Sequence, residues 1–255
     1  MKWHGEAIWE AVAPLLPGFT VEVLPQVDST NSELMRRARA GRVEPVLLVA
    51  ESQAAGRGRL GRGWHSAPGD SLTFSLGLPL APQDWSGLSL GVGVAVAEAL
   101  DACIRIKWPN DLWVGERKLA GILIETASTP GAEAQGPRYA VIGIGINIRA
   151  PAPGSYSTEP AALDELLPDI DAATALGRIA RPLVEAVKAF EAFGFAPFHA
   201  RFDARDVLRD RGVTLSDGRA GTAHGTTEHG GLLVHTAAGM TTVTSSEVSV
   251  RPASP

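Results

Sequence analysis

The order of apolar and polar residues divides the chain into helical and strand-like segments. The continuous apolar run at 46–50 predicts a buried strand and the segment 71–78 predicts another strand, whereas apolar positions three and four residues apart predict amphipathic helices. Asp28 and the Ser-Thr-Asn sequence after it are good N-cap residues, so we predict a helix that begins there and ends at Gly41. The other predicted helices span 6–16, 88–103, 161–167, 173–193 and 197–208, and the other predicted strands span 20–24, 104–108, 118–126 and 139–148.

The pattern changes near Arg205. From Gly212 onward, short β-branched runs are separated by glycine-containing turns, a spacing that predicts a small barrel of about five strands. We therefore predict two domains, residues 1–205 and residues 206–255. Pro, Gly and Ala between the last two predicted strands of the first domain indicate an exposed hairpin tip, and 151–160 reads as a Pro/Ser-rich loop.

Composition then narrows the class of protein. Apolar residues make up 45% of the chain and no run reaches the roughly 18 residues of a membrane span, so a soluble, cytoplasmic protein without a secretion signal is expected. Cys103 is the single cysteine, which excludes an intramolecular disulfide and makes a structural metal site improbable. The net charge of -5 lacks the basic surface of a general nucleic-acid binder, so we expect no DNA binding.

The first candidate for chemistry is the sequence from Gly56 to Trp64, which we call the arginine loop. It matches G-x-G-x-x-G, but no helix follows it, which argues against a dinucleotide-binding fold; the chain has no Gly-Lys dipeptide for a Walker loop. Its three arginines, Arg57, Arg59 and Arg62, suit phosphate or carboxylate groups. A mobile anion clamp and a solvated basic surface loop both remain open on this motif alone.

The second candidate combines Lys107 to Asp111 with Lys118. Only 4 of the 23 basic residues are lysine, and two of them lie in this short stretch. A strand ending at Pro109 and a hairpin that returns to Lys118 would bring two ammonium groups, the Asn110 amide and the Asp111 carboxylate together. Such a group could neutralise a reacting phosphate, although on this segment alone an ordinary turn with a surface ion pair is the favoured interpretation.

Taken together, several segments in one order resemble the biotin protein ligases. They are Ser29-Thr30-Asn31, Gln53, the arginine loop, Lys107 to Asp111, Lys118 to Glu125, and Gly143 to Asn147. The resemblance is to the short form without an N-terminal DNA-binding domain. It implies an α+β fold, with a mixed sheet flanked by helices, related to class II aminoacyl-tRNA synthetases, and a small C-terminal SH3-like β-barrel.

The resemblance also implies an activity and a set of residues. A ligase of this family forms biotinyl-5′-AMP from biotin and ATP, with Mg2+ bound to the nucleotide, and passes biotin to a lysine of a biotin carboxyl carrier protein domain. The catalytic residues it implies are Lys118, Arg59 and Asp111. The biotin-binding set is Ser29, Thr30, Asn31, Gln53, Arg57, Gly58, Arg59, Lys118 and Gly121. The ATP-binding or adenylate-binding set is Arg57, Arg59, Arg62, Trp64, Lys107, Asn110, Lys118 and Asn147.

Three alternatives stay open at this point. A lipoate or octanoate ligase shares the fold and the adenylate chemistry, but its acyl substrate needs no ureido hydrogen bonds, so the polar residues Ser29 to Asn31 and Gln53 favour biotin. A DNA-binding biotin sensor is opposed by the acidic charge. A non-catalytic binding module would not need the paired cations.

Overall fold

The computed structural model describes residues 2–128, 136–152, 154, 156–244 and 250–252. Its helices are α1 (Gly5–Val12), α2 (Thr30–Arg39), α3 (Leu88–Leu100), α4 (Ala172–Phe193) and α5 (Ala196–Asp203). Its strands are β1 (Thr20–Val27), β2 (Val46–Gln53), β3 (Gly56–Arg57), β4 (Gly63–Trp64), β5 (Ser71–Leu80), β6 (Arg105–Lys107), β7 (Asp111–Val114), β8 (Arg117–Ser128), β9 (Arg138–Asn147), β10 (Gly212–Leu215), β11 (Ala220–Thr226), β12 (Leu232–Thr236), β13 (Gly239–Val243) and β14 (Val250–Pro252). The predicted hairpin tip lies mostly outside the described residues.

A seven-stranded sheet in the order β1-β2-β5-β9-β8-β7-β6 forms the main layer. Strands β1 and β2 are parallel and the other neighbours are antiparallel, so the predicted mixed sheet is confirmed. Helix α2 packs on one face with Tyr139 and Val141, while α1, α3 and α4 contribute to the larger core on the other face. Nine of the ten residues of β5 are buried because both of its faces are covered.

Four predicted helices are corrected. Helix α1 ends at Val12 rather than at residue 16, because the residues that follow form turns. Residues 161–167 contain only a 3-10 turn, Leu163–Glu165, because the backbone of Ala161 is held in extended form by hydrogen bonds with Lys118 and Asn147. Helix α3 ends at Leu100 rather than at residue 103, since Asp101 is extended and its carboxylate accepts a hydrogen bond from the backbone N–H of Cys103. Helix α5 ends at Asp203 because the next residues pair with β6 instead.

The C-terminal residues form a second, antiparallel sheet in the order β13-β12-β11-β10-β14. The five predicted strands are present, but this order is open at β13 and β14 among the described residues, so closure into an SH3-like barrel is not confirmed. The apolar side chains of this sheet, such as Val213 and Leu232, belong to the same core as Ile106 of the main sheet. The division of the chain at residue 205 stays a prediction.

A turn of the second sheet contacts the main sheet next to β6. The indole N–H of the fully buried Trp108 donates a hydrogen bond to the carbonyl oxygen of Gly230, over 3.0 Å. Gly230 has a φ of 82° and packs closely on Gly87. A Cβ added to Gly230 would lie 2.8 Å from the Cα of Gly87. The second sheet therefore supports the strand end that leads into Pro109 and Asn110. Among the described residues, no helix is long and apolar enough to cross a membrane.

Asp206, at the junction of the two sheets, is expected to make stability depend on pH. Its side chain is only 7% exposed, and one carboxylate oxygen has no hydrogen-bond partner among the described residues. Burial raises the pKa of Asp206 from 3.8 to about 6. Because the folded pKa lies above the unfolded one, the cost of the buried charge is absent below pH 4, grows between pH 4 and pH 6, and levels off above pH 6 at about 3 kcal/mol.

We therefore expect Asp206→Asn to be more stable than the wild type at pH 8 and to lose this advantage by pH 4. The free energy of unfolding in urea, measured across this range, tests the difference. Glu228→Gln removes one negative charge at an exposed position and serves as the control. A stability gap between Asp206→Asn and the wild type that does not change with pH would contradict the assignment.

Candidate active site

One cavity opens between the N-terminus of α2, the arginine loop and the strands β7, β8 and β9. Every site residue predicted from the sequence lines it, so the structure brings together segments more than 100 residues apart in the chain. In the order of the chain these residues are Ser29, Thr30, Asn31, Gln53, Arg57, Gly58, Arg59, Arg62, Trp64, Lys107, Asn110, Asp111, Lys118, Gly121 and Asn147.

One end of the cavity is a network of hydrogen bonds between largely buried polar groups. Ser29 is the N-cap of α2, which places the buried side chains of Thr30 and Asn31 at the first turn of the helix. The carbonyl oxygen of the Gln53 side chain accepts hydrogen bonds from the backbone N–H of Thr30, over 2.8 Å, and from its hydroxyl, over 3.2 Å. Ser75 Oγ, which is fully buried, lies 2.7 Å from both Thr30 Oγ1 and Asn31 Oδ1. The side chains here are thus held in fixed positions before any ligand binds.

Three glycines of β8 and β9 leave room for larger side chains above the sheet. A Cβ on Gly143 would lie 2.0 Å from Asn31 Oδ1, and one on Gly145 would lie 2.4 Å from the Trp64 ring. A Cβ on Gly121, the cross-strand partner of Gly145, would lie 3.3 Å from Lys118 Nζ. The glycines therefore let the buried amide and the indole ring lie directly on the sheet.

The other end of the cavity gathers cations around one carboxylate. Lys118 Nζ lies 2.7 Å from Asp111 Oδ1. Burial lowers the pKa of Lys107 to about 8, with Asp111 opposing the shift and Lys118, Arg62 and Arg59 adding to it. Burial also lowers the pKa of Arg59. Four positive groups so close together, with one acidic side chain between them, form a site for an anion of high charge.

The hairpin from β6 to β7 positions this group. Lys107 and Asp111 are cross-strand partners, and Asp111 also pairs with Gly121 of β8. Asn110, at the turn, is fixed by two hydrogen bonds to the backbone of Ile122, over 2.8 and 2.9 Å. Its side-chain oxygen accepts a hydrogen bond of 3.4 Å from Arg59. Strand β7 was not predicted, because its four residues follow a Pro-Asn turn signal directly.

Known proteins resemble this chain in sequence and in fold. The model of the biotin/lipoate A/B protein ligase family matches residues 23–147. The bifunctional ligase/repressor BirA of Escherichia coli is 37% identical over 230 residues, which cover 86% of this chain and 70% of BirA. The biotin--[acetyl-CoA-carboxylase] ligase of Paracoccus denitrificans is 31% identical over 246 residues, which cover 89% of this chain and 98% of that ligase. The chain belongs to the biotin protein ligase family. Among solved structures, the biotin protein ligase of Aquifex aeolicus in complex with biotin and ATP superposes with a TM-score of 0.76 at 30% identity, over 91% of this chain and 99% of that one.

Two residues of this ligase, Asn147 and Trp64, have contacts that the sequence did not predict. Asn147 is 8% exposed, and its amide N–H groups donate to the carbonyl oxygens of Ala161, over 3.0 Å, and Lys118, over 3.4 Å. It therefore holds the backbone beside the cavity. The Trp64 indole N–H is buried without a partner among the described residues, and Lys118 Nζ lies 6.0 Å from the ring centroid.

Sequence reasoning missed several residues of the ligase site. Tyr156, Ser157 and Thr158 line the cavity, but the Pro/Ser-rich loop that carries them had no motif. Ser75 had a signal that could have been used, since it is a polar residue in the middle of the apolar run of β5. Glu125 closes a matched segment, yet its two contacts across the fold, to Asn31 and Arg57, could not be read from spacing.

Proposed function

We propose that this ligase uses the described cavity to activate biotin with ATP and then to biotinylate a lysine of a carrier protein domain. In the first step the biotin carboxylate attacks the α-phosphorus of ATP, which forms biotinyl-5′-AMP and releases pyrophosphate. In the second step the carrier lysine attacks the acyl carbon, an amide bond forms, and AMP leaves. The observation that carries the proposal is the group of four cations beside a buried network of neutral hydrogen-bonding groups.

The cationic end suits the first step. Two anions, a carboxylate and a phosphate, must approach each other, so preorganised positive charge lowers the barrier. Lys118, which pairs with Asp111 at the cationic end of the cavity, is the group we assign to both anions. Lys107, Arg59 and Arg62 are assigned to the phosphates, with Arg57 and Asn110 supporting the arginine loop.

The polar end suits the ureido ring of biotin. Ureido groups are costly to bury without partners, and Ser29, Thr30, Asn31 and Gln53 offer donors and acceptors there. Gly58 and Gly121 are proposed to let the backbone approach the ligand. A lipoyl or octanoyl chain offers no ureido donors or acceptor to these residues, so the proposal does not extend to those substrates.

The nucleotide is expected to enter with Mg2+. Asp111 is the acidic side chain that lines the cavity in the described part of the chain, and one carboxylate fits an ion that keeps mainly phosphate and water oxygens as ligands. When bound, Mg2+ neutralises phosphate charge.

Trp64 is assigned to the adenine side of the cavity, with Asn147 holding the strand end below it. The cytoplasmic location stays a prediction.

The test of the proposed function is pyrophosphate exchange into ATP, measured with biotin, lipoate and octanoate in parallel. We expect exchange that depends on biotin and not on the other two acids. Transfer is then measured with a biotin carboxyl carrier domain as acceptor and its lysine-to-arginine variant as control. Exchange with lipoate or octanoate at the rate seen with biotin would contradict the assignment of the polar end.

Asp111→Asn is expected to slow transfer to the carrier lysine more than it slows adenylate synthesis. Synthesis loses the ion-pair partner of Lys118 and the carboxylate offered to Mg2+, whereas transfer also loses the group that can take the proton of the attacking amine. Single-turnover rates of the two half-reactions measure the difference. Equal losses in both steps would remove Asp111 from proton transfer and leave it only the orientation of Lys118.

A further inference from the structure

The side chain of Glu125 on β8 joins two parts of the site, the start of α2 and the arginine loop, through one oxygen atom. Glu125 Oε2 accepts a hydrogen bond of 2.9 Å from the Asn31 amide at the start of α2. The same oxygen accepts a hydrogen bond from the Arg57 guanidinium of the arginine loop. Asn31 and Arg57 lie 94 and 68 residues away in the chain, so Glu125 is a direct bridge between the polar end of the cavity and the loop.

The Asn31 side of this bridge is rigid. Its Oδ1 is hydrogen-bonded to Ser75, its Nδ2 also donates to the carbonyl oxygen of Leu123 over 3.1 Å, and the space it fills is set by Gly143. Asn31 is 3% exposed. The position of Glu125 is therefore fixed from the core, at a well-formed hydrogen-bond distance.

The contact between Glu125 and Arg57 is more exposed to solvent. The Arg57 side chain is 44% exposed and that of Glu125 is 26% exposed, so this contact can open and close with the loop. A second contact, from Arg59 to Asn110 over 3.4 Å, ties the loop to the β6–β7 turn. Of these two, only the Glu125 contact is an ion pair, and it is the one that connects the loop to the polar end.

We propose that Glu125 is a positioning residue that holds the arginine loop closed over the reaction intermediate through Arg57. A charge-assisted hydrogen bond anchored on a fixed carboxylate keeps Arg57 at the cavity wall, and the loop then slows the escape of biotinyl-AMP. The inference rests on the proposed function, because it concerns the intermediate of that reaction. It assigns to Glu125 no contact with biotin, ATP or the reacting atoms.

The test compares Glu125→Gln with the wild type and with Glu165→Gln. The glutamine keeps an oxygen that can accept from Asn31 but loses the charge that holds Arg57. Glu165→Gln is the matched control, because its ion pair with Arg117 is similarly exposed and lies outside the cavity. The measured quantities are the release rate of preformed, labelled biotinyl-AMP and the labelling of a bystander protein that lacks a carrier sequence.

We expect Glu125→Gln to release biotinyl-AMP about ten times faster and to label the bystander more strongly at equal adenylate synthesis. Its KM for biotin should rise less than that of Glu125→Ala, which also breaks the contact to Asn31. In an Arg57→Gln background, Glu125→Gln should add nothing further to the release rate. A purely structural role would not produce this split between release and KM, or this non-additivity.

Release at the wild-type rate in Glu125→Gln would overturn the proposal, and so would an equal acceleration in the Arg57→Gln background. If Glu125→Gln fails to fold, Arg57→Gln alone carries the test from the exposed side of the pair, with the same expected acceleration. Failure of the proposed function has a different signature, since the wild type would then form no biotinyl-AMP at all.

Discussion

Lys118→Ala is expected to lower the rate of adenylate synthesis by about a hundred- to a thousand-fold. The variant loses the ammonium that we assign to both the carboxylate and the α-phosphate, while Lys107, Arg59 and Arg62, which we assign to the phosphates, remain. The Lys118 side chain is 29% exposed, so its removal should change the thermal midpoint little. Pyrophosphate exchange at saturating biotin and ATP measures the effect.

Lys188→Ala is the control for the loss of one lysine. Its ammonium pairs with Glu191 on the exposed side of α4 and is remote from the cavity. It should retain wild-type exchange. Exchange by Lys118→Ala within tenfold of the wild type would show that the remaining cations suffice and that Lys118 is not the central one.

Gly143→Ala is the second change with a large expected effect. The added methyl group would lie 2.0 Å from Asn31 Oδ1, and this side chain cannot move away within the core without breaking its bonds to Ser75 and Glu125. The polar end of the cavity would be displaced, and we expect biotin affinity to fall at least about a hundredfold, equivalent to roughly 3 kcal/mol. Calorimetric titration with biotin measures it directly.

Gly177→Ala is the matched substitution in the same chain. A Cβ at Gly177, in the middle of α4, would meet nothing within 4 Å among the described residues. We expect unchanged biotin affinity and a gain in stability of up to about 1 kcal/mol, because alanine favours the helix. Tight biotin binding by Gly143→Ala would mean that Asn31 is not part of the pocket as assigned.

Local chemistry explains which parts of the fold could be predicted from the sequence. The cap at Ser29 and the buried runs of β2 and β5 are determined by residues close together in the chain, and these elements were predicted at nearly the observed positions. The helix predicted at 161–167 failed because contacts with Lys118 and Asn147 override its local pattern. Tertiary hydrogen bonds of this kind have no signature in a single segment.

The candidate site also contains residues that could be predicted from local sequence and residues that could not. Its charged members were found because arginine and lysine cluster in short motifs, and the structure places them around one cavity. Ser75 and Glu125 were missed, because their importance comes from partners 44 or more residues away. The glycines of β9 were noticed as a motif, but only the structure shows that Asn31 and Trp64 occupy the space they leave.

The hydrogen bond from Trp108 to Gly230 has a consequence for synthesis on the ribosome. The two residues are 122 positions apart, so at about 5–20 residues per second the acceptor is made on the order of ten seconds after the indole. Until then the indole N–H of Trp108, next to the strand end that carries Asn110 and Asp111, lacks this protein partner and is open to water. In a nascent chain that has not yet reached Gly230, the turn of Asn110 and Asp111 therefore lacks one of the contacts that fix it, and we expect it to become fully ordered only after the second sheet has emerged.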